Sequence, residues 1–381
     1  MDAVVTLPLT AGNERSFLTL FTPLISHIVS KAIGAPLIIM QNNVGYKSND
    51  LAIDSRLQYE KYVEHCGQIG ISGNGVSFKE DASPDYQTYF EKLVKKVLEM
   101  GLVNFQTEEI MWCQCGRTEA LASTIKTLAE EKRRKSLIAC SDTVKCKCCN
   151  HPLESSVEDI AVISLNQVLP ENIWPPIYFD EFKEVSKRMS GHSVVISRNH
   201  RSGFKIKIGY KEVTIDTDFR WFGYLGYFCQ GMSEVLIVSS LTTLNQLAKV
   251  IAFSKLCLPE LKISILIHPV IRVKDGNVKM SSFRIEEYLR LCQTANVARF
   301  FLASCMQWNH GETTLTSDEI GLVKLGLLNK TIVSQKPSES LAVNDLFHLM
   351  NRKTFYNMLK CLRNGKMMTL NEVLLKNLIF V

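Results

Sequence analysis

An α/β protein built on a parallel sheet is what this sequence predicts, and three observations carry the prediction. The chain opens strand–loop–helix–strand: apolar Ala3–Leu7, a loop Pro8–Asn13 with Gly12, a helical run from Glu14 to about Ile33, and apolar Pro36–Gln41. Strands joined through a helix pair in parallel and place a ligand site at the first loop. Apolar strand material returns late in the chain, at Val235 onward and at Ile263–Ile267. Between these two parts lies a stretch of different character, where six of the twelve cysteines fall within Cys113–Cys149.

With 381 residues the chain has room for two or three domains and a sizeable core. Its 46% apolar and 22% charged content is that of an ordinary globular protein. No apolar run reaches the roughly 18–20 residues that a membrane span needs. MDAVVTLPLT lacks a basic leader and reads as a buried strand, so no signal peptide is expected. The net charge of +6 permits a nucleic-acid partner without demanding one. Lys132–Lys135 is the densest basic run, but Glu130 and Glu131 precede it, which suits a solvated helix face. Clustered cysteines beside scattered apolar ones read as one metal cluster plus buried thiols in a reducing, cytoplasmic compartment.

Each element has its own warrant. In the first helix Phe17, Leu18, Phe21, Leu24, Ile25, Ile28 and Val29 share one face, with Asn13 as N-cap and Gly34 as stop. Tyr86–Met100 is helical and ends at Gly101. Cys113-Gln-Cys115 and Cys146…Cys149 are two turns of thiols about 30 residues apart, which can converge on one tetrahedral site. Cys113, Cys115, Cys146 and Cys149 are the expected zinc ligands, with Cys140, Cys148 and His151 in reserve. Four ligands with no open position would fit a structural zinc. Lys274–Arg284, KDGNVKMSSFR, is a turn at Asp275-Gly276 followed by a lysine and two hydroxyls, the equipment of a phosphate clamp. Toward the end, Asp318–Leu328 and Leu346–Leu362 have helical spacing, broken at Pro337-Ser338.

Taken in order, these pieces resemble class I aminoacyl-tRNA synthetases, closest to the catalytic core of methionyl-tRNA synthetase. Lys279-Met280-Ser281 resembles the start of that family's KMSKS loop, with Ser282 and Phe283 in place of its last lysine and serine. Leu7-Pro8 and Gly12 keep the frame of the HIGH-containing stretch. Ile69-Gly70-Ile71, Asp85, Glu108–Arg117 with the cysteine knuckle, Val194–Arg198 and Phe219–Tyr227 follow in the family's order, over residues 3–330. The resemblance implies a split Rossmann-type parallel sheet with an inserted zinc-knuckle domain and a short C-terminal helical region. The corresponding division is 1–105 and 181–305 for the two Rossmann halves, 106–180 for the insertion and 306–381 for the helical end.

The departures bear on chemistry. Arg15 and Leu18 replace the family's phosphate-binding histidines, and Phe17 replaces the glycine that leaves room for adenine. Asn42 and Asn43 stand where acidic residues hold the substrate ammonium. Val238, Ser239 and Ser240 stand where a glycine-lysine-aspartate holds the ATP ribose. The changed histidines, glycine, ribose carboxylate and second loop lysine all concern activation by ATP and magnesium, and each such donor supplies a few kcal/mol of transition-state stabilisation. What the resemblance leaves is a core repurposed as an amino-acid ligase or aminoacyl transferase, taking an amino acid or aminoacyl donor, plausible in specialised-metabolite synthesis. The other reading is a non-catalytic pseudo-synthetase that binds a ligand, a tRNA or a protein partner. Under either, Arg15, Lys279, Ser281, Ser282 and Arg284 are candidates for anions, with Arg198 and His268 beside them. Asn42, Asn43, Trp221, Tyr224 and Tyr227 are candidates for the pocket. Among Cys66, Cys229, His65 and His268 no nucleophile–base pair stands out.

Overall fold

A computed structural model of the chain describes residues 1–7, 9–10, 17–42, 55–112, 118–120, 151–152, 154–190, 193–197, 205–208, 210–215, 217–275, 278–279, 284–292, 295, 298–299, 302 and 312–316. The first half opens with β1 (Ala3–Thr6) and β2 (Leu9–Thr10). A short 3-10 turn at Phe17–Leu20 then leads into α1 (Phe21–Ile33). The regular helix thus begins at Phe21; Asn13 and Glu14, the expected start, lie outside the described residues. Gly34 ends it as expected: at φ 69° it adopts the left-handed cap, and its N–H donates to the Ser30 carbonyl. β3 (Leu37–Asn42), α2 (Ser55–Gln68), β4 (Val76–Glu80) and α3 (Pro84–Glu99) complete this half. Ser83 caps α3, its hydroxyl accepting from the Tyr86 N–H at 3.2 Å, with Pro84 in the first turn.

The chain then leaves the central sheet. β5 (Val103–Trp112), β6 (Thr118–Ala120) and β7 (Glu154–Ser164) form an antiparallel ribbon, in which ten consecutive pairs run from Val103↔Ile163 to Trp112↔Glu154. The ribbon brings together the chain on either side of the cysteine segment. Cys113, Cys115, Cys146 and Cys149 themselves lie outside the described residues, as do the reserves Cys140 and Cys148. The return is earlier than the expected boundary near 180, because β8 (Asn172–Trp174) already pairs in parallel with the central sheet. α4 (Phe179–Ser190), β9 (Ser193–Val195), the hairpin β10 (Lys205–Ile208) and β11 (Lys211–Thr214), and α5 (Thr217–Phe228) follow.

β12 (Glu234–Ser240), α6 (Leu244–Cys257) and β13 (Lys262–His268) form the second strand–helix–strand unit. They close a sheet in the order β4-β3-β1-β12-β13-β8, all parallel, with β2 continuing the β1 position beside β3. β1, β3 and nearly all of β12 and β13 are buried, as strands covered on both faces must be. Ala3, Val5, Leu7, Ile38, Met40, Val235, Ile237, Ile263, Ile265 and Ile267 share one core with residues of α3, α5 and α6. Side chains alternate along a strand, so Asn42, two after Met40, faces this side; Gln41 and His268 face the side of α1.

Beyond β13 a smaller sheet contains β14 (Val270–Asp275), β15 (Val278–Lys279) and β16 (Glu312–Thr316). The Asp275↔Val278 pairing leaves two residues between β14 and β15, the tight hairpin expected at Asp275-Gly276. β16 corrects one expectation. Residues 312–316 are not part of a helical end; they pair in parallel with β14, as the threonine-rich ETTLT favours. Between them α7 (Ile285–Cys292) begins, and helical backbone recurs at Ala298, Arg299 and Leu302. The expected helices at 318–328 and 346–362 lie outside the described residues. No helix among the described residues is long and apolar enough to cross a membrane.

α3 and α5 pack through rings, and the absence of a side chain at Gly223 and Gly226 makes that possible. A Cβ on Gly223 would sit 3.0 Å from both Phe90 Cδ2 and Tyr86 Oη. Both rings are fully buried, with no room to retreat. Gly223→Ala is therefore expected to cost about 1–3 kcal/mol by overpacking. Urea unfolding followed by circular dichroism measures it, and an unchanged midpoint would show that α3 can slide.

Candidate ligand site at the carboxyl edge of the sheet

The order β4-β3-β1-β12-β13 reverses direction between β1 and β12. In an open parallel sheet the ligand crevice lies outside the carboxyl ends of the strands at such a reversal. The groups presented there are Thr6, Gln41, Asn42, Ser239, Ser240 and His268, each at or next to its strand's end. Thr6 opens the edge. Its Oγ1 accepts from the Met40 N–H at 3.0 Å, and β2 takes up the pairing with Gln41 and Asn42 further along.

On the α1 side the edge is tied down and uncharged. His268 Nδ1 donates to the Pro269 carbonyl at 3.0 Å, and Nε2 accepts from Thr22 Oγ1 at 2.8 Å. Burial holds the ring's pKa down at about 4, against a smaller opposing pull from the Pro269 bond. Both nitrogens are used and the ring is neutral at pH 7, so His268 fixes strand to helix rather than offering charge to an anion. The linkage has a definite sign. The unfolded ring, near 6.5, binds a proton that the folded ring refuses, so stability is full above pH 6.5 and lost as pH falls toward 4. His27, pushed down to about 3 by burial and then by Arg299, acts in the same direction. Stability should fall by about 3 kcal/mol between pH 7 and pH 4 through His268 alone. Urea unfolding across that range tests this, and a His268→Leu variant should lose that part of the slope.

Next to it, α7 closes on the entry of α1. Phe17 is fully buried, its ring stacked on Tyr288 with centroids 4.8 Å apart. Arg299 is fully buried, and its Nη1 donates to His27 Nδ1 and to the Ile69 carbonyl, each at 3.1 Å. Burial lowers Arg299 to about 9, still protonated at neutral pH. His65 Nε2 lies 3.5 Å from Glu286 Oε1, joining α2 to α7.

On the other face, Arg220 Nη2 donates to the Asp81 carbonyl at 2.8 Å and lies 3.5 Å from Asp81 Oδ2, with both side chains almost wholly buried. Tyr86 donates to the Arg220 carbonyl at 2.5 Å and Tyr224 to the Gln41 carbonyl at 3.3 Å. Tyr224 is therefore packed core, not an open wall. Tyr227 joins the same ring cluster, 5.4 Å from Tyr86 and 5.0 Å from Tyr89. Among the buried polar atoms here that no hydrogen bond reaches are both amide atoms of Gln41, Asn42 Nδ2 and the Trp221 indole nitrogen.

Of the other sequence candidates, Lys279 lies in β15, and Arg284 is exposed, its N–H bonded to Glu287 Oε2 at 3.2 Å. Arg15, Asn43, Arg198, Ser281 and Ser282 lie outside the described residues. Gln41, Asp81 and Arg220 went unflagged in the sequence. For Arg220 a signal existed: it is the one charge in FRWFGYLGY, and a lone arginine in an apolar helix needs a buried partner. Cys229 and Cys292 are pushed up to about 12 by burial and so hold their protons; neither is a nucleophile.

A doubly wound parallel sheet, interrupted by an antiparallel ribbon and closed by a hairpin after its fifth strand, defines a core like that of class I aminoacyl-tRNA synthetases. The particular likeness is to methionyl-tRNA synthetase of Mycobacterium tuberculosis. A structure bound by methionyl-adenylate aligns over 99% of this chain and 88% of that one, with TM-score 0.66 and 10% identity. The free-state structure aligns over 100% and 86%, with TM-score 0.53 and 10% identity. At that identity the likeness is one of fold. No protein-family model and no curated protein matches the chain.

Proposed function

We propose that this chain is a synthetase-like core repurposed as an amino-acid ligase or aminoacyl transferase that receives an already activated aminoacyl group. The observation that carries the reading is the set of buried, unpartnered polar atoms of Gln41 and Asn42 at the end of β3 and of Trp221 on α5. An unmet buried donor or acceptor costs about 1–3 kcal/mol, a standing cost that a bound ligand would remove. A ligand at this edge is thus favoured over an edge left by drift.

The nucleotide side supports less. Methionyl-tRNA synthetase holds methionyl-adenylate in the matched structures, but the described residues here do not suit a nucleotide held the family's way. Phe17, at the place of the adenine-facing glycine, is buried against Tyr288. Ser239 and Ser240, at the ribose position, are engaged locally: the Ser239 hydroxyl bonds Thr243 Oγ1 at 2.6 Å, and Ser240 Oγ accepts from Thr242 Oγ1 at 3.1 Å. His268 brings no charge. Transfer from an activated ester needs no nucleotide. An amine attacks the acyl carbon, the C–N bond forms, the C–O bond to the carrier breaks, and the amine proton ends on the released hydroxyl. The pseudo-synthetase reading draws on one specific observation, the filling of the family's pocket wall by Tyr224 and Tyr86.

The test is incubation of the full chain with labelled aminoacyl-tRNAs and a panel of amines. Protein-dependent movement of label from tRNA to an amine is expected. Label that stays on tRNA, with no binding of aminoacyl-tRNA above deacylated tRNA, would refute transfer.

A further inference from the structure

We propose that Gln41 and Glu80, side by side at the ends of β3 and β4, hold the α-ammonium and the acyl carbonyl of the aminoacyl group. The proposal rests on the reading above, that this edge receives an aminoacyl group, and names the residues that recognise it.

Gln41 is only 1% exposed, yet neither its Oε1 nor its Nε2 has a hydrogen-bond partner. The two atoms belong to one planar group and present an acceptor and a donor along one edge. A ligand that meets both must offer a donor and an acceptor side by side. Glu80 is the register partner of Gln41 on the neighbouring parallel strand. Such partners share a face and their strands lie about 4.8 Å apart, so the Glu80 carboxylate is within reach of what the amide holds. Its charge is also felt by Tyr59 of α2, whose hydroxyl is held above its ordinary value by burial first and by Glu80 second. Lys79 pairs with Met40 and so turns to the opposite face, 5.9 Å from the Phe228 ring centroid. Of the residues of β3 and β4, Glu80 thus brings the one charge to the Gln41 side.

An α-aminoacyl group matches this set. Its ammonium carries three donors and a positive charge, which suit the Glu80 carboxylate and Gln41 Oε1. Its acyl oxygen, on the adjoining carbon, accepts from Gln41 Nε2. A simple amine leaves Nε2 unmet, and an N-acetylated group loses the charge that Glu80 answers. Sites built on buried hydrogen-bonding groups discriminate strongly against ligands that leave those groups unpaired. Asn42 beside Gln41 is uncharged, so the neighbouring strand supplies the carboxylate that β3 lacks.

The probes are amides of the standard amino acids, their N-acetyl counterparts and simple amines with the same side chains, titrated into the full chain labelled with 15N. The readout is the side-chain amide signal of Gln41, assigned by its loss in Gln41→Leu. Amino-acid amides are expected to shift that signal and to bind at least roughly tenfold more tightly than N-acetyl forms. Glu80 is partly exposed, so Glu80→Gln should keep the circular dichroism spectrum and erase that preference. Gln41→Leu should bring the amides down to the affinity of the simple amines. N-acetyl forms binding as tightly as free-amine forms would overturn the proposal. So would a Gln41 signal that no probe moves, or a preference that survives Glu80→Gln. The two readings fail separately. Ammonium-dependent binding at Gln41 without movement of label from aminoacyl-tRNA keeps the site and removes the transfer reaction. Label transfer that Glu80→Gln leaves unchanged keeps the reaction and removes the site.

Discussion

Replacing Arg220 by methionine is expected to lower the stability of this fold by about 3–5 kcal/mol. The guanidinium is almost wholly buried; its Nη2 donates to the Asp81 carbonyl and lies 3.5 Å from the Asp81 carboxylate. Its removal leaves a buried carboxylate with its strongest partner gone. That deficit is larger than the net value of the intact pair, because desolvation offsets most of the attraction while both charges are present. Asp81→Asn in the Arg220→Met background should therefore recover part of the loss. Urea unfolding of the two single variants and the double variant provides the cycle. A loss below about 1 kcal/mol for Arg220→Met would place the pair with solvent-exposed bridges and contradict the buried network. The network also has a positional role. Arg220 and Asp81 come from opposite halves of the chain, and their contact sets α5, with Trp221 on it, against the end of β4.

The second large effect has the opposite sign. Gln41→Leu should raise stability by about 1–3 kcal/mol, because it replaces an amide whose two polar atoms are buried without partners by an apolar side chain of similar size. Stabilisation by removal of a polar group is the mark of a site kept for a ligand rather than for the fold. Asn42→Leu should act in the same direction, because it removes a buried N–H that no hydrogen bond reaches. Thermal and urea unfolding decide both. A fall in stability for Gln41→Leu would mean that its amide is hydrogen-bonded in solution and that this edge holds no vacant polar groups.

Much of the fold was legible because its strands are buried on both faces. Ala3–Thr6, Leu37–Asn42 and Lys262–His268 read as continuous apolar runs and could be placed nearly to the residue. The αL stop at Gly34 and the hairpin at Asp275 were legible from backbone chemistry alone. The site was less so. Arg220 and Asp81 are 139 positions apart, and no local pattern reports a partner at that distance. Nor does sequence reveal whether a tyrosine lines a pocket or fills it: Tyr224 was a candidate wall and is packed core, while Trp221, three residues earlier, keeps a free indole nitrogen. His268 had the right position for an anion, but burial and two hydrogen bonds remove its charge. β16 was read within a helical end because five residues are too few for a period, and its partner β14 lies some forty residues upstream.

The central claim is that a synthetase-like fold keeps its ligand edge while giving up nucleotide activation. Calorimetric titration of the full chain with Mg-ATP tests it most directly. The account predicts no saturable heat at millimolar nucleotide, alone or with any amino acid present. Saturable binding accompanied by pyrophosphate release would contradict it and return the chain to the adenylating enzymes.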